Sequence, residues 1–275
     1  MIPLATGAHR VTFGLIGLGR IGGRIVERLL GDPSGPKLTA VLVRPEHMRA
    51  VAAAGSAVKV CTSLVDFIGC RPDVVVECAS REALQTCAAP ILASGIDLVP
   101  LSLAALADRE FEANITAAAH AGPGRLEVPA GAMGCLDVLA AAREERLSRV
   151  VFRAAYPTAR WRQTAAETMA SLDRISQRTT FYRGSVRDIA RLFPRHVNVA
   201  VGVALAGRGL DDTEAELLAD PQLTQAEFEL DIVAGPGAVE VRVYGRAAPL
   251  GADPIDYTTF SILRLLRRRQ ARIMI

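Results

Sequence analysis

The stretch Val11-Thr12-Phe13-Gly14-Leu15-Ile16-Gly17-Leu18-Gly19-Arg20-Ile21-Gly22 runs from a short apolar segment into a turn built on glycines. Ile21, Ile25, Val26, Leu29 and Leu30 then recur at helical spacing. Strand, glycine turn and helix form the context in which the pattern G-x-G-x-x-G holds a dinucleotide. Gly17 permits the tight turn, Gly19 lets a pyrophosphate approach the backbone, and Gly22 lets helix and strand pack closely. Arg20 and Ile21 open the helix, whose first amides and dipole favour a phosphate. A glycine-rich turn with no ligand is the competing reading. Leu38–Val43 is a second apolar run, and an acidic residue at its end would accept hydrogen bonds from the ribose of NAD. Val43-Arg44-Pro45 stands there instead. A guanidinium suits a 2′-phosphate, so Arg44 tilts the expectation toward NADP, while the nearby Glu46 leaves NAD open.

Outward from this unit the alternation continues. Asp73–Val76 reads as a strand ending in Glu77-Cys78-Ala79-Ser80, Arg81–Ser94 as a helix, Asp97–Leu101 as a strand and Ala104–His120 as a helix. Such a rhythm predicts an α/β fold with a parallel sheet covered by helices. After Arg125 the texture changes. Leu126–Val128, Val150–Ala155, Thr179–Tyr182, Glu227–Ala234 and Val239–Val243 are strand candidates with few helices between them. The expected organisation is a dinucleotide-binding domain over residues 1–124 and a mixed-sheet domain over residues 125–249. A last helix within residues 250–275 packs back on the first domain, and Arg267-Arg268-Arg269 reads as its solvated C-terminus.

Composition narrows the class. Of 275 residues 50% are hydrophobic and 5% aromatic, with 32 basic against 29 acidic residues, which argues against a nucleic-acid partner. No apolar stretch approaches the ~20 residues of a membrane span, and no secretory signal opens the chain. Five cysteines without C-x-x-C spacing read as reduced thiols of a cytoplasmic protein and give no metal site. Lys37 and Lys59 are the only lysines, which leaves almost no candidate for Schiff-base chemistry.

Taken together, the motifs resemble the L-aspartate dehydrogenases. The carrying segments are Gly17–Gly22, Val76–Ser80, Ser102–Asp108, Pro129–Asp137 (PAGAMGCLD), Leu192–Ala200 (LFPRHVNVA), Leu205–Asp211 and Ala219-Asp220-Pro221. The resemblance implies a Rossmann-type domain with an inserted α/β catalytic domain, generally in a homodimer or larger oligomer, for which the second-domain sheet is a candidate interface. It implies reversible hydride transfer between the Cα of aspartate and NAD or NADP through an imine, the cofactor carrying the redox chemistry. It places Cys78, Ala79 and Ser80 on the cofactor wall and Ala132 and Asn198 near the nicotinamide end. Capping of the following helix is the alternative reading of Asn198.

Two departures stand out against that resemblance. The family's catalytic histidine, which follows the Asp-Pro motif in a strand, corresponds to Phe228 here, and a phenyl ring transfers no proton. Where the family has a polar segment with a lysine, this chain has Asp253-Pro254-Ile255-Asp256-Tyr257. His9 lies near the start, His47 on the nucleotide loop and His120 at a helix end, whereas His196 lies two residues from Asn198, which makes it a candidate relocated proton carrier. Tyr257 is a second candidate donor. Arg195 and Arg160 are candidates for a substrate carboxylate, because a guanidinium fork matches its two oxygens. An amino or imino acid is the expected substrate. A different imine, ketone or aldehyde, or cofactor binding without turnover, are the alternatives.

Overall fold

The computed structural model describes residues 10–48, 58–235, 237–245 and 257–273. His9, Asp253 and Asp256 lie outside them. In chain order the first elements are β1 (Thr12–Ile16), α1 (Arg20–Leu29), β2 (Lys37–Leu42), β3 (Lys59–Cys61), α2 (Leu64–Ile68), β4 (Val74–Glu77), α3 (Arg81–Ala93), β5 (Asp97–Pro100) and α4 (Arg109–Ala121). Next come α5 (Leu136–Ala142), β6 (Leu147–Pro157), α6 (Ala166–Met169), β7 (Thr179–Ser185), α7 (Val186–Leu192) and α8 (Asn198–Ala206). The last are β8 (Glu214–Asp220), β9 (Glu227–Ala234), β10 (Gly237–Tyr244) and α9 (Tyr257–Arg268).

The chain divides into two compact units, with boundaries after Gly131 and before Thr258. The first boundary falls later than the expected residue 124 because the chain keeps pairing with the first sheet. Leu98 N–H donates to Arg125 O (2.8 Å) and Glu127 N–H donates to Leu98 O (2.9 Å).

In the first unit five parallel strands run in the order β3-β2-β1-β4-β5. The order reverses between β1 and β4, and ligands of open parallel sheets bind in the crevice that this reversal opens at the strands' carboxyl ends. Phe13 and Leu15 of β1 pack with Ile25, Val26 and Leu29 of α1. Ile262, Leu263, Leu265 and Leu266 of α9 join the same core, each buried side chain contributing about 1.5–3 kcal/mol. The last helix therefore belongs to the first unit, as its apolar spacing predicts. Its arginines are not simply solvated, however. Arg267 pairs with Asp32 (3.0 Å), Arg268 with Glu127 (3.4 Å), and Arg269 with both Asp97 (2.6 Å) and Glu127.

The segment expected as one helix over Ala104–His120 is broken. Leu103–Ala107 forms a 3-10 turn, and the Asp108 carboxylate accepts from the amides of Glu110 (2.9 Å) and Phe111 (3.2 Å) to start α4 afresh.

The second unit carries a mixed sheet in the order β10-β9-β6-β8-β7, with β6 and β8 parallel and the other pairs antiparallel. Side chains alternate across it. Phe152, Ala154, Tyr156, Leu217, Ala219, Phe228 and Leu230 are buried on one face. The opposite face carries a cluster of ion pairs beside the buried Val151, Ala155 and Leu218. Arg153 pairs with Glu216 (3.3 Å) and Asp231, and Arg178 with Glu227 (2.7 Å) and Glu229 (2.8 Å).

Candidate functional site

At the end of β1 the chain turns through Gly17 at φ +87°, with Gly17 N–H donating to Leu42 O (3.0 Å). A Cβ on Gly17 would lie 2.8 Å from that of Ala79, so the turn rests directly on the β4–α3 loop. A Cβ on Gly22 would lie 2.7 Å from Gly17 O and 3.0 Å from Cys78 Sγ, which explains how α1 lies so close to the turn. Gly19 differs from both. It is the N-cap of α1 at φ −79°, offers no side-chain cap, and a Cβ there would meet nothing within 4 Å. An open cradle over uncapped helix amides suits a pyrophosphate in sign of charge and leaves the backbone open to its approach. Arg20 is exposed beside it and Ile21 packs against the core.

The opposite wall is β4 and its loop. Cys78 Sγ donates to the carbonyls of Ile16 (3.4 Å) and Gly17 (3.3 Å), and burial pushes its thiol up to about 12. It is a packing thiol and no nucleophile. Ser80 caps α3, its hydroxyl accepting from Ala83 N–H (3.2 Å).

Sequence reasoning missed the residue that organises this wall. Glu77 is fully buried at the end of β4. Its Oε1 accepts from Ala79 N–H (2.8 Å), Ser80 N–H (3.0 Å) and the Ser102 hydroxyl (2.9 Å), and Oε2 accepts from Ser102 N–H (3.0 Å). Burial raises its pKa above the ordinary carboxylate value, opposed by these hydrogen bonds. One carboxylate thus ties the loops after β4 and β5 together. The readable signal was an acidic residue inside the buried run Val74–Glu77.

Arg44 follows β2 with an exposed guanidinium. It meets His47 Nε2 (3.0 Å) and Glu46 Oε1 (3.3 Å), so the acidic residue that left NAD open pairs with it.

In the second unit His196 lies in a cluster of rings. Its centroid is 5.5 Å from that of Tyr156 and 5.3 Å from that of Trp161. Phe228, buried in β9, packs on the same Tyr156 at 6.0 Å and stacks on Phe152 at 5.9 Å. His196 and Phe228 therefore share one aromatic neighbour. Tyr156 donates its hydroxyl to His196 O (2.9 Å), and burial pushes that phenol up to about 12, so it stays protonated. Burial also lowers the pKa of His196, helped by Arg160 and Arg195, against the opposing effect of a hydrogen bond with the Arg160 backbone. The structure thus brings His196, Arg160 and Arg195 together, with both arginines exposed. Asn198 is the first residue of α8, with Val197 at the N-cap position. Ala132 lies in a turn beside Gly134, which has φ +66°. Tyr257 begins α9 and is 55% exposed.

Among the described residues no helix is long and apolar enough to cross a membrane, and no group of three or more His, Cys, Asp or Glu could hold a metal.

Comparison with known proteins agrees with this geometry. Residues 17–129 match the family model "Homoserine dehydrogenase, NAD binding domain", and residues 137–269 match "Aspartate dehydrogenase, C-terminal". L-aspartate dehydrogenase of Cupriavidus necator is 35% identical over 268 residues, covering 95% of this chain and 98% of that protein. L-aspartate dehydrogenase of Ruegeria pomeroyi is 36% identical over 264 residues, covering 96% and 94%. The crystal structure of aspartate dehydrogenase from Thermotoga maritima has the same fold, with a TM-score of 0.75 at 24% identity over 97% of this chain and all of that one. Fold, glycine corner and matches define an NAD(P)-dependent dehydrogenase. Within that class the chain belongs to the L-aspartate dehydrogenase family.

Proposed function

We propose that the protein exchanges a hydride between NAD(P)(H) and an amino or imino acid, nominally L-aspartate and its imine. The observation that carries this reading is the open, uncapped corner at Gly19, at the point where the strand order reverses. When bound, the nicotinamide supplies the hydride chemistry. Gly17, Gly19, Arg20, Ile21 and Gly22 hold the pyrophosphate, and Cys78, Ala79 and Ser80 form the facing wall. Ala132 and Asn198 serve the nicotinamide end, and Arg195 with Arg160 holds the substrate carboxylate. The protein works as a cytoplasmic homo-oligomer, nominally a dimer. The reading is tested by following NADPH consumption with oxaloacetate plus ammonia, against simple ketones, aldehydes and preformed imines. Turnover confined to oxaloacetate with ammonia supports it.

His196 takes up and returns the proton in this scheme, because Phe228 cannot. Its pKa lies below the ordinary 6.5, so it is a neutral acceptor at pH 7. Activity in the direction of amine oxidation is expected to fall as pH drops through that lowered value. His196→Gln should reduce kcat by about 10²–10⁴-fold and flatten this acid limb. A variant that keeps kcat with an unchanged pH profile removes the assignment. A second reading is favoured by Phe228 itself. An apolar ring at that position suits a less polar imine, ketone or aldehyde, with Tyr257 as the other candidate donor.

NADP is the proposed preference, supported by the exposed Arg44 beside His47. Arg44→Ala is expected to weaken NADPH binding about tenfold, or roughly 1.4 kcal/mol, while leaving NADH nearly unchanged. Fluorescence titration of both cofactors checks it. Equal losses for the two would mean that Arg44 does not read the 2′-phosphate.

A further inference from the structure

Cys61 ends β3 and Cys70 follows α2, and their sulfur atoms lie 4.0 Å apart. Cys61 is buried, whereas Cys70 is partly exposed and donates from Sγ to Asp66 O (3.3 Å). Neither takes part in the glycine corner or in the aromatic cluster around His196. A disulfide needs the sulfurs at about 2.05 Å, so closure requires a movement of roughly 2 Å by the more exposed side chain. Such a movement is open to Cys70, because it sits in a loop. Cys61 is held in register with Leu42, and its carbonyl accepts from Val43 N–H (3.0 Å).

We propose that Cys61 and Cys70 are a peroxide-oxidised, thiol-reversible disulfide pair. The accessible Cys70 thiolate attacks a peroxide oxygen, the O–O bond breaks, and hydroxide leaves with a proton as water. Cys70 is then a sulfenic acid. Cys61 sulfur attacks Cys70 sulfur, the S–O bond breaks, and a second water leaves with the Cys61 proton. Two thiols and one hydrogen peroxide thus give one disulfide and two waters, and an external thiol returns both cysteines.

The division of labour follows from burial. Desolvation, and next the neighbouring Cys70, push the Cys61 thiol up to about 11, so it is a poor first nucleophile. In a reducing compartment such a bridge is transient, as expected of a redox-responsive site and not of a structural one.

The test uses the full chain. It is treated with a small excess of hydrogen peroxide, remaining thiols are alkylated, and the protein is cleaved on the amino side of Asp66 and Asp73. That digestion separates Cys61, Cys70 and Cys78 into different peptides. The expected result is a cross-link joining the Cys61 and Cys70 peptides, abolished by dithiothreitol. Cys61→Ser is expected to trap Cys70 as a sulfenic acid that dimedone captures, and Cys70→Ser to leave Cys61 alkylatable after unfolding. Overoxidation of Cys70 without a cross-link in the wild-type chain overturns the proposal. So does a link from either cysteine to Cys78 or to another copy of the chain.

Discussion

Gly19→Val is expected to raise the dissociation constant for NAD(P)H by about a hundredfold, roughly 2.7 kcal/mol, with little change in the melting temperature. The two halves of this expectation have separate causes. Gly19 has an ordinary φ of −79°, and a Cβ there meets nothing within 4 Å, so the fold has no reason to object. In the proposed site, the space a valine would fill is the space in which a pyrophosphate would meet the helix amides. Two other glycines separate strain from ligand exclusion. Gly31 has φ +82°, and a Cβ there would also meet nothing within 4 Å, so Gly31→Ala should cost about 1 kcal/mol of stability and leave cofactor binding intact. Gly17→Ala combines a φ of +87° with a 2.8 Å approach to Ala79, and both stability and binding should suffer. Isothermal titration and thermal unfolding of the three variants separate the effects. Wild-type affinity in Gly19→Val would show that the dinucleotide lies elsewhere, and the proposed function would fall with it.

The corner was legible because its determinants are local. A strand, the three glycines of the turn motif and an amphipathic helix occupy eighteen consecutive residues of sequence, Thr12–Leu29, and each residue's task depends on near neighbours. The helix α9 was legible for a similar reason, since Ile262, Leu263, Leu265 and Leu266 share one face. Elements set by distant partners were not. β3 is three residues long and is a strand only because Ala40, Val41 and Leu42 pair with it. β8 has charged ends, Glu214 and Asp220, and the resemblance registered its Ala219-Asp220 end as a motif and not as a strand. It is held between β6 and β7. The ion-pair cluster on the second sheet was hidden likewise. Arg153 and its partners Glu216 and Asp231 are 63 and 78 residues apart in sequence, and only the register of three strands lines them up. In the candidate site, His196 and Phe228 were each visible, but their shared contact with Tyr156 was not.

Glu77 shows the same limit most clearly, and its replacement carries the second large effect. Glu77→Ala is expected to cost on the order of 3–5 kcal/mol of stability, as when one partner of a buried charged interaction is deleted. Four donors would lose their acceptor, two of them on Ser102, twenty-five residues further along the chain. Because each buried orphan donor costs about 1–3 kcal/mol, the loss is a large share of a typical 5–15 kcal/mol total. Ala79 rests against Gly17, so the freed loop should also weaken NAD(P)H binding. Glu77→Gln keeps one acceptor oxygen but turns an NH₂ toward a donor, and an intermediate loss is expected. The glutamine variant further isolates a pH effect. Since the folded-state pKa of Glu77 is raised, its contribution to stability is complete below the ordinary carboxylate pKa. That contribution is lost as pH rises through the raised folded value. The wild-type chain should therefore lose stability over that interval relative to Glu77→Gln, in which the group does not titrate. Thermal unfolding of both chains across a pH series measures the difference. A constant gap between them would mean that the carboxyl group titrates as it does in the unfolded chain, with its hydrogen bonds offsetting the cost of burial in full.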